Sequence, residues 1–202
     1  MQASLFSDKP EQTIQIPDGD VSYIPGFIDN HIDIFEKLKK QIEWSQDEIF
    51  VYGKTHKIPR LQAWYGDPQC SYRYSGLTMQ PKNWTTELQK IRSQLEIELG
   101  VKFNCVLCNL YRDGKDYVAW HADDEPELGR NPVIASLSLG ETRTLHLKHR
   151  YDKGIGKVKI DLAAGSLFVM RGKTQENWHH QLAKTSRKIG SRINLTFRMI
   201  KK

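Results

Sequence analysis

A chain of 202 residues with 39% hydrophobic and 27% charged residues is long enough to bury a core and too apolar for a disordered segment. No run reaches the roughly 20 apolar residues that span a bilayer, so no membrane span is expected. The opening residues lack the basic and apolar regions of a secretory signal, and three cysteines cannot all pair, which excludes a disulfide scaffold and predicts an intracellular, reducing setting, bacterial cytoplasm or eukaryotic nucleus.

The net charge of +6, from 30 Lys and Arg against 24 Asp and Glu, suits phosphate-rich partners without requiring them. Residues 1–20 are polar and rich in turn formers, which predicts a flexible N-terminal arm before a single domain over 21–202. A first helix is expected from Asp29 or Asn30 to about Trp44, with Ile34, Leu38 and Ile42 stacked at intervals of four. Hairpins around 48–80 are expected to extend one edge of a sheet. A second helix is expected from about Thr85 to Leu99, with Leu88, Ile91, Leu95 and Leu99 as its apolar stripe and Gly100 as its stop.

From Phe103 onward short runs of period two follow one another, each bounded by Gly, Asp, Asn or Pro. Many short strands with turns between them predict an antiparallel jelly roll in a mainly β, α+β fold, the N-terminal helices backing one sheet and an extra hairpin serving as a lid. Such a fold leaves an open mouth between its sheets. Cys105-Val-Leu-Cys108 falls inside one of these strands, where its sulfurs face opposite sides, so it reads as structural.

His121-Ala-Asp123 puts an imidazole and a carboxylate on one face at a strand end. A later run, Asn177-Trp178-His179-His180, offers another imidazole, and alternation allows only one of its two histidines to point inward. Two imidazoles and one carboxylate form a facial triad that suits Fe(II) and leaves positions open. On the last strand Arg192, Asn194, Thr196 and Arg198 share one face, opposite Ile193, Leu195 and Phe197. Its arginine Cα atoms stand roughly 20 Å apart at about 3.3 Å per residue. With both guanidinium groups extended, the gap left fits a five-carbon diacid, which arginine can bond bidentately. Asn109 and Tyr111 share a face on an earlier strand and could complete that pocket. A solvated outer sheet face would show the same polar pattern, and the strand alone leaves both readings open.

NLYRDGKDYVAWHADDE (109–125) followed by RINLTFR (192–198) resembles the AlkB family of nucleic-acid-repair dioxygenases. The likeness extends upstream through IPRLQAWYGD (58–67) and SYRYSGLTMQPKNW (71–84), covering about 45–200, and that part looks like the DNA-repair branch typified by human AlkB homologue two. The resemblance implies iron ligands His121, Asp123 and His180, favouring His180 over His179. It implies contacts to 2-oxoglutarate from Asn109, Tyr111, Arg192, Thr196 and Arg198, with O2 as the oxidant. Leu110 stands where many members carry arginine, and His179 where tyrosine is common; both lie beside implied functional positions.

The implied reaction is oxidative demethylation of alkylated DNA bases such as N1-methyladenine and N3-methylcytosine, releasing formaldehyde and turning 2-oxoglutarate into succinate. A base damaged on its pairing edge must leave the helix to be reached. Substrate contacts are expected from Tyr52-Gly53-Lys54, matching the family's probing hairpin, from Tyr72 and Tyr74 on one strand face as a stacking platform, from Arg73 between them, and from Asp124 and Glu125. Gln2-Ala-Ser-Leu5-Phe6 resembles peptides by which bacterial repair proteins dock on the sliding clamp. A monomer is expected. An RNA-directed demethylase of the same family and a non-catalytic nucleic-acid-binding jelly roll are the alternative readings.

Overall fold

The computed structural model describes residues 10–51, 53–70, 72–74 and 77–201. In chain order these form β1 (Gln12–Ile14), β2 (Asp20–Ile24), α1 (His31–Gln41), β3 (Glu48–Val51), β4 (Lys54–Lys57), β5 (Leu61–Gly66), β6 (Tyr72–Tyr74), β7 (Leu77–Met79) and α2 (Thr86–Leu99). The second half supplies β8 (Cys105–Tyr111), β9 (Val118–His121), a 3-10 turn (Pro126–Leu128), β10 (Ile134–Gly140), β11 (Arg143–His149), β12 (Val158–Leu162), β13 (Leu167–Arg171), α3 (Thr174–Asn177), β14 (Trp178–Leu182) and β15 (Arg192–Arg198).

The helices sit where their apolar spacing places them. Thr85 caps α2, its side-chain oxygen accepting from Leu88 N at 3.2 Å, and Gly100 ends it at a φ of 64°. Leu88, Ile91 and Leu95 are buried, and such side chains stabilise the fold by roughly 1.5–3 kcal/mol each. Helix α1 buries Ile34 and Leu38, with Ile42 following at its C-cap.

Two antiparallel sheets make the jelly roll. The larger runs β1-β2-β13-β10-β15-β8-β5, and the smaller runs β12-β11-β14-β9. Both helices pack on the outer side of the larger sheet, against Ile193, Leu195 and Phe197 of β15 and Cys108 and Leu110 of β8. A second apolar cluster, with Leu107, Leu145, Leu147, Phe168 and Trp178, fills the space between the sheets. Cys105 belongs to the second cluster and Cys108 to the first, so the two sulfurs do lie on opposite sides of one strand.

Three features differ from the sequence expectation. Residues 12–14, read as part of a loose arm, pair with β2 as an edge strand, and Ile16 beyond them is buried. Their short run gives no periodic signal, and main-chain pairing with β2 together with the half-buried Ile14, packed on the apolar cluster between the sheets, holds them. Among the described residues of the hairpin region, only β5 joins either large sheet, because Ala63, Trp64 and Tyr65 are buried beside β8. Strands β3–β4 and β6–β7 stand as separate two-stranded hairpins, and β4 is exposed at all four positions, leaving it no apolar face to bury against a sheet. Third, α3 interrupts the path from β13 to β14 with a single turn. Among the described residues no helix is long and apolar enough to cross a membrane.

Candidate metal and diacid site

Strands β9 and β14 pair so that His121 faces His180 in register, with ring centroids 4.1 Å apart. Asp123 lies two residues past the end of β9, where its backbone N donates to Gln175 Oε1 at 2.9 Å. The ligand atoms of His121, Asp123 and His180 all lie within 4.8 Å of one another. His121 Nδ1 lies 2.8 Å from the carbonyl of Ala119, which can only accept, so that nitrogen carries the proton and Nε2 keeps its lone pair for a metal. His179 pairs with Lys148 and is half-buried, while its neighbour His180 is buried and turned inward.

Burial opposes ionisation of Asp123, but the Arg198 guanidinium and the two imidazoles outweigh it and hold the carboxyl down at about 2. Arg198 Nη2 donates to Asp123 Oδ1 at 2.8 Å. Burial, then the neighbouring His121, pushes His180 down to about 3, so its ring stays neutral. Two imidazole nitrogens beside an ionised carboxylate are a donor set that fits a divalent iron.

The three groups stand at one end of a cavity of about 60 Å³ between the sheets, lined also by Asn109, Tyr111, Arg192, Asn194, Thr196 and Arg198. At roughly 10–15 Å³ per water this holds about four to six waters, which is the space a short diacid displaces. The polar face of β15 is therefore interior: Arg192, Asn194, Thr196 and Arg198 are all buried. Arg192 Nη2 donates to Ser138 Oγ at 2.9 Å, while its buried Nε has no hydrogen-bond partner. Burial lowers this guanidinium to about 10, still charged at neutral pH. A buried cation with an unused donor beside a polar cavity is suited to a carboxylate.

A sequence profile of the 2OG-Fe(II) oxygenase superfamily matches residues 20–198. The chain belongs to this superfamily. Within it, the chain is 42% identical over 190 residues to human alpha-ketoglutarate-dependent dioxygenase alkB homolog 3, covering 89% of this chain and 66% of that protein. It is 39% identical over 177 residues to human DNA oxidative demethylase ALKBH2, covering 83% and 68%, and 33% identical over 229 residues to the Arabidopsis thaliana ALKBH2, covering 99% and 73%. The chain thus spans about two thirds of the length of the human relatives. The same jelly roll is seen in OsALKBH1, with a TM-score of 0.67 at 18% identity over 94% of this chain and 100% of that one. A Pseudomonas putida prolyl-4-hydroxylase shares it at a TM-score of 0.56 and 15% identity, over 90% and 92%.

In this AlkB-type oxygenase fold the eight expected iron and 2-oxoglutarate positions, His121, Asp123, His180, Asn109, Tyr111, Arg192, Thr196 and Arg198, all line one cavity. Of the expected substrate positions, Gly53, Lys54, Asp124 and Glu125 are not among its lining residues. Asp124 is exposed and ion-paired with Arg150 at 2.7 Å, and Glu125 is half-buried ahead of the 3-10 turn. Gly53 turns the β3–β4 hairpin at a φ of 74° and Lys54 is exposed beside it. Tyr52 and Gln2–Phe6 lie outside the described residues, and Tyr72, Arg73 and Tyr74 are described as the backbone of β6.

Sequence reasoning left several residues in or beside the lining without a role. Arg60 is buried, donates from Nε to Asn109 Oδ1 at 2.8 Å, and so fixes which way that amide points. Ser136 and Ser138 on β10 hold Asn194 and Arg192 at 2.8 and 2.9 Å. Their outward signal was weak: two serines alternating with leucines look like the wet face of a strand.

Proposed function

We propose that this chain is an Fe(II)- and 2-oxoglutarate-dependent oxygenase that strips N-alkyl groups from nucleobases in DNA. One observation carries the reading. Two imidazoles and a carboxylate converge within 4.8 Å at one end of a buried cavity whose other end is marked by the cation Arg192. The relatives' names, dioxygenase and DNA oxidative demethylase, supply the class of reaction and substrate.

In this reading His121, Asp123 and His180 hold the iron. When bound, iron, 2-oxoglutarate and O2 together supply the oxidising power that hydroxylates an N-methyl carbon, with carbon dioxide and succinate as the other products. Arg198 keeps Asp123 ionised and fixed by its 2.8 Å hydrogen bond, and it lines the cavity at the iron end. Arg192, steadied by Ser138, takes the far carboxylate of the diacid, and Tyr111 closes that end. Asn109, oriented by Arg60, and Thr196, which donates to Asn194 Oδ1 at 3.2 Å, line the walls between.

The hydroxylated methyl group then leaves as formaldehyde: its hydroxyl loses a proton, the C–N bond breaks, and that electron pair stays on the ring nitrogen, restoring the base. A lesion on the pairing edge has already weakened its base pair, so flipping it out costs less than flipping an intact base. Tyr72 and Tyr74 supply the stacking platform, Arg73 a further substrate contact, Tyr52-Gly53-Lys54 the probing hairpin tip, and Asp124 and Glu125 the polar contacts to the lesion. The net charge of +6 favours the phosphate backbone of such a substrate, and the site of action is where nucleic acid lies, inside the cell.

Mass spectrometry of oligonucleotides carrying N1-methyladenine or N3-methylcytosine, incubated with iron(II), 2-oxoglutarate and O2, tests this. A loss of one methylene unit in mass is expected, abolished by His180→Ala and kept by His179→Ala. No mass change on single-stranded DNA, duplex DNA or RNA refutes the reading, and a change on RNA alone moves the substrate to RNA.

A further inference from the structure

Arg143, the first residue of β11, is outside the cavity lining, yet it is 5% exposed and bears on that cavity from behind. Its hydrogen bonds run to three main-chain carbonyls: Nη1 to Asp113 at 3.2 Å, and Nη2 to Asp116 at 3.0 Å and Ala183 at 2.7 Å. The first two belong to the loop that follows Tyr111, and the third to the loop that precedes Arg192. Those loops are also joined by Thr185 N donating to the Gly114 carbonyl at 2.8 Å. Gly114 is required there, since a Cβ would stand 2.6 Å from the Thr185 carbonyl.

The Asp116 carboxylate, engaged by Arg112 at 2.8 Å, and the Asp113 carboxylate also attract the Arg143 guanidinium. Meanwhile the Arg143 guanidinium carbon lies 5.8 Å from the Tyr111 ring centroid, and that of Arg192 lies 5.4 Å from the same ring. Two buried guanidinium groups thus converge on one tyrosine at the end of a polar cavity, and one of them has an unused donor. Like charges brought together out of water repel, unless an anion joins them.

We propose that Arg143 is a positioning residue that makes the Tyr111 end of the cavity selective for a second carboxylate, so that a 2-oxo diacid is held in preference to a 2-oxo monoacid. It acts by fastening the two loops around Tyr111 and by adding a second cation behind the ring. The inference rests on the oxygenase reading above.

Calorimetric titration of the whole chain loaded with Mn(II), using 2-oxoglutarate and the monoacid 2-oxobutyrate, tests it. Arg143→Gln is expected to weaken 2-oxoglutarate on the order of tenfold or more and 2-oxobutyrate by less than about threefold. Should that variant fail to fold, Arg143→Lys keeps the charge but loses the fork that spans three carbonyls. It is expected to lower the preference for the diacid by at least about threefold. Equal weakening of both acids, or an unchanged preference, overturns the inference. If the unaltered protein binds neither acid, the oxygenase reading itself fails, and the two failures are told apart.

Discussion

Arg198 and Asp123 form a buried ion pair, Nη2 to Oδ1 at 2.8 Å, with both side chains 4% exposed. It joins β15 of the larger sheet to a residue two positions past the end of β9 of the smaller one, so the jelly roll is tied across its mouth at the candidate metal site. Replacing Arg198 by Met strands a carboxylate out of water. The metal-free protein is expected to lose about 3–5 kcal/mol, read from urea unfolding. Arg198→Met combined with Asp123→Leu should recover a large part of that loss, since no unpaired charge remains.

Acid should unfold the metal-free protein through His180 first. Its ring titrates at the usual 6.5 when unfolded and is held at about 3 when folded. Below pH 6.5 the unfolded chain takes up a proton that the folded one refuses. Stability therefore falls by about 1.4 kcal/mol per pH unit until the pH nears the folded value. Asp123, held at about 2, adds a second loss as the pH drops below the ordinary carboxylate range toward that value. Urea midpoints measured from pH 7 to 4 should show the slope, and His180→Asn should flatten it.

Gln175 is buried and its Oε1 accepts from the backbone N of Asp123 at 2.9 Å. Substitution by Leu removes that bond while keeping the volume. Iron(II) affinity should fall roughly tenfold to a hundredfold, as for other groups that orient metal ligands. Equilibrium dialysis under anaerobic conditions reads this directly, and an affinity within twofold of the unaltered protein would contradict it.

Gly140 ends β10 opposite Arg192, at a φ of 81°. A Cβ there would meet the Ser191 carbonyl at 2.5 Å and the Phe35 ring at 2.7 Å. Backbone cannot yield as a side chain can, so Gly140→Ala is expected to cost about 2–3 kcal/mol. Because the strain falls beside Arg192, 2-oxoglutarate binding should weaken too.

Much of this arrangement was legible in the chain because it is written in local periodicity. Helix α2 announces itself by Thr85, its leucine stripe and Gly100, and β8, β10, β11 and β15 by alternation between turn residues. The polar face of β15 could not be placed by its own pattern, because Arg192 and Arg198 would look the same facing water. Only the partner strands decide it: the helices cover the Ile193, Leu195 and Phe197 face, which leaves the arginines to the interior. Arg60, Gln175 and Arg143 stayed silent for the same reason. Each acts on a residue 30 to 52 positions away in sequence, and no periodicity records such a meeting. Strand β1 went unseen because three polar or half-buried residues at a sheet edge carry no apolar signature.

The most direct test of the site is anaerobic titration of the purified chain with iron(II) and then 2-oxoglutarate, following the visible charge-transfer band that the diacid gives when it chelates iron. The account predicts a band saturating at one equivalent, lost in His180→Ala and retained in His179→Ala. Absence of any band, or a band that survives His180→Ala unchanged, would contradict it.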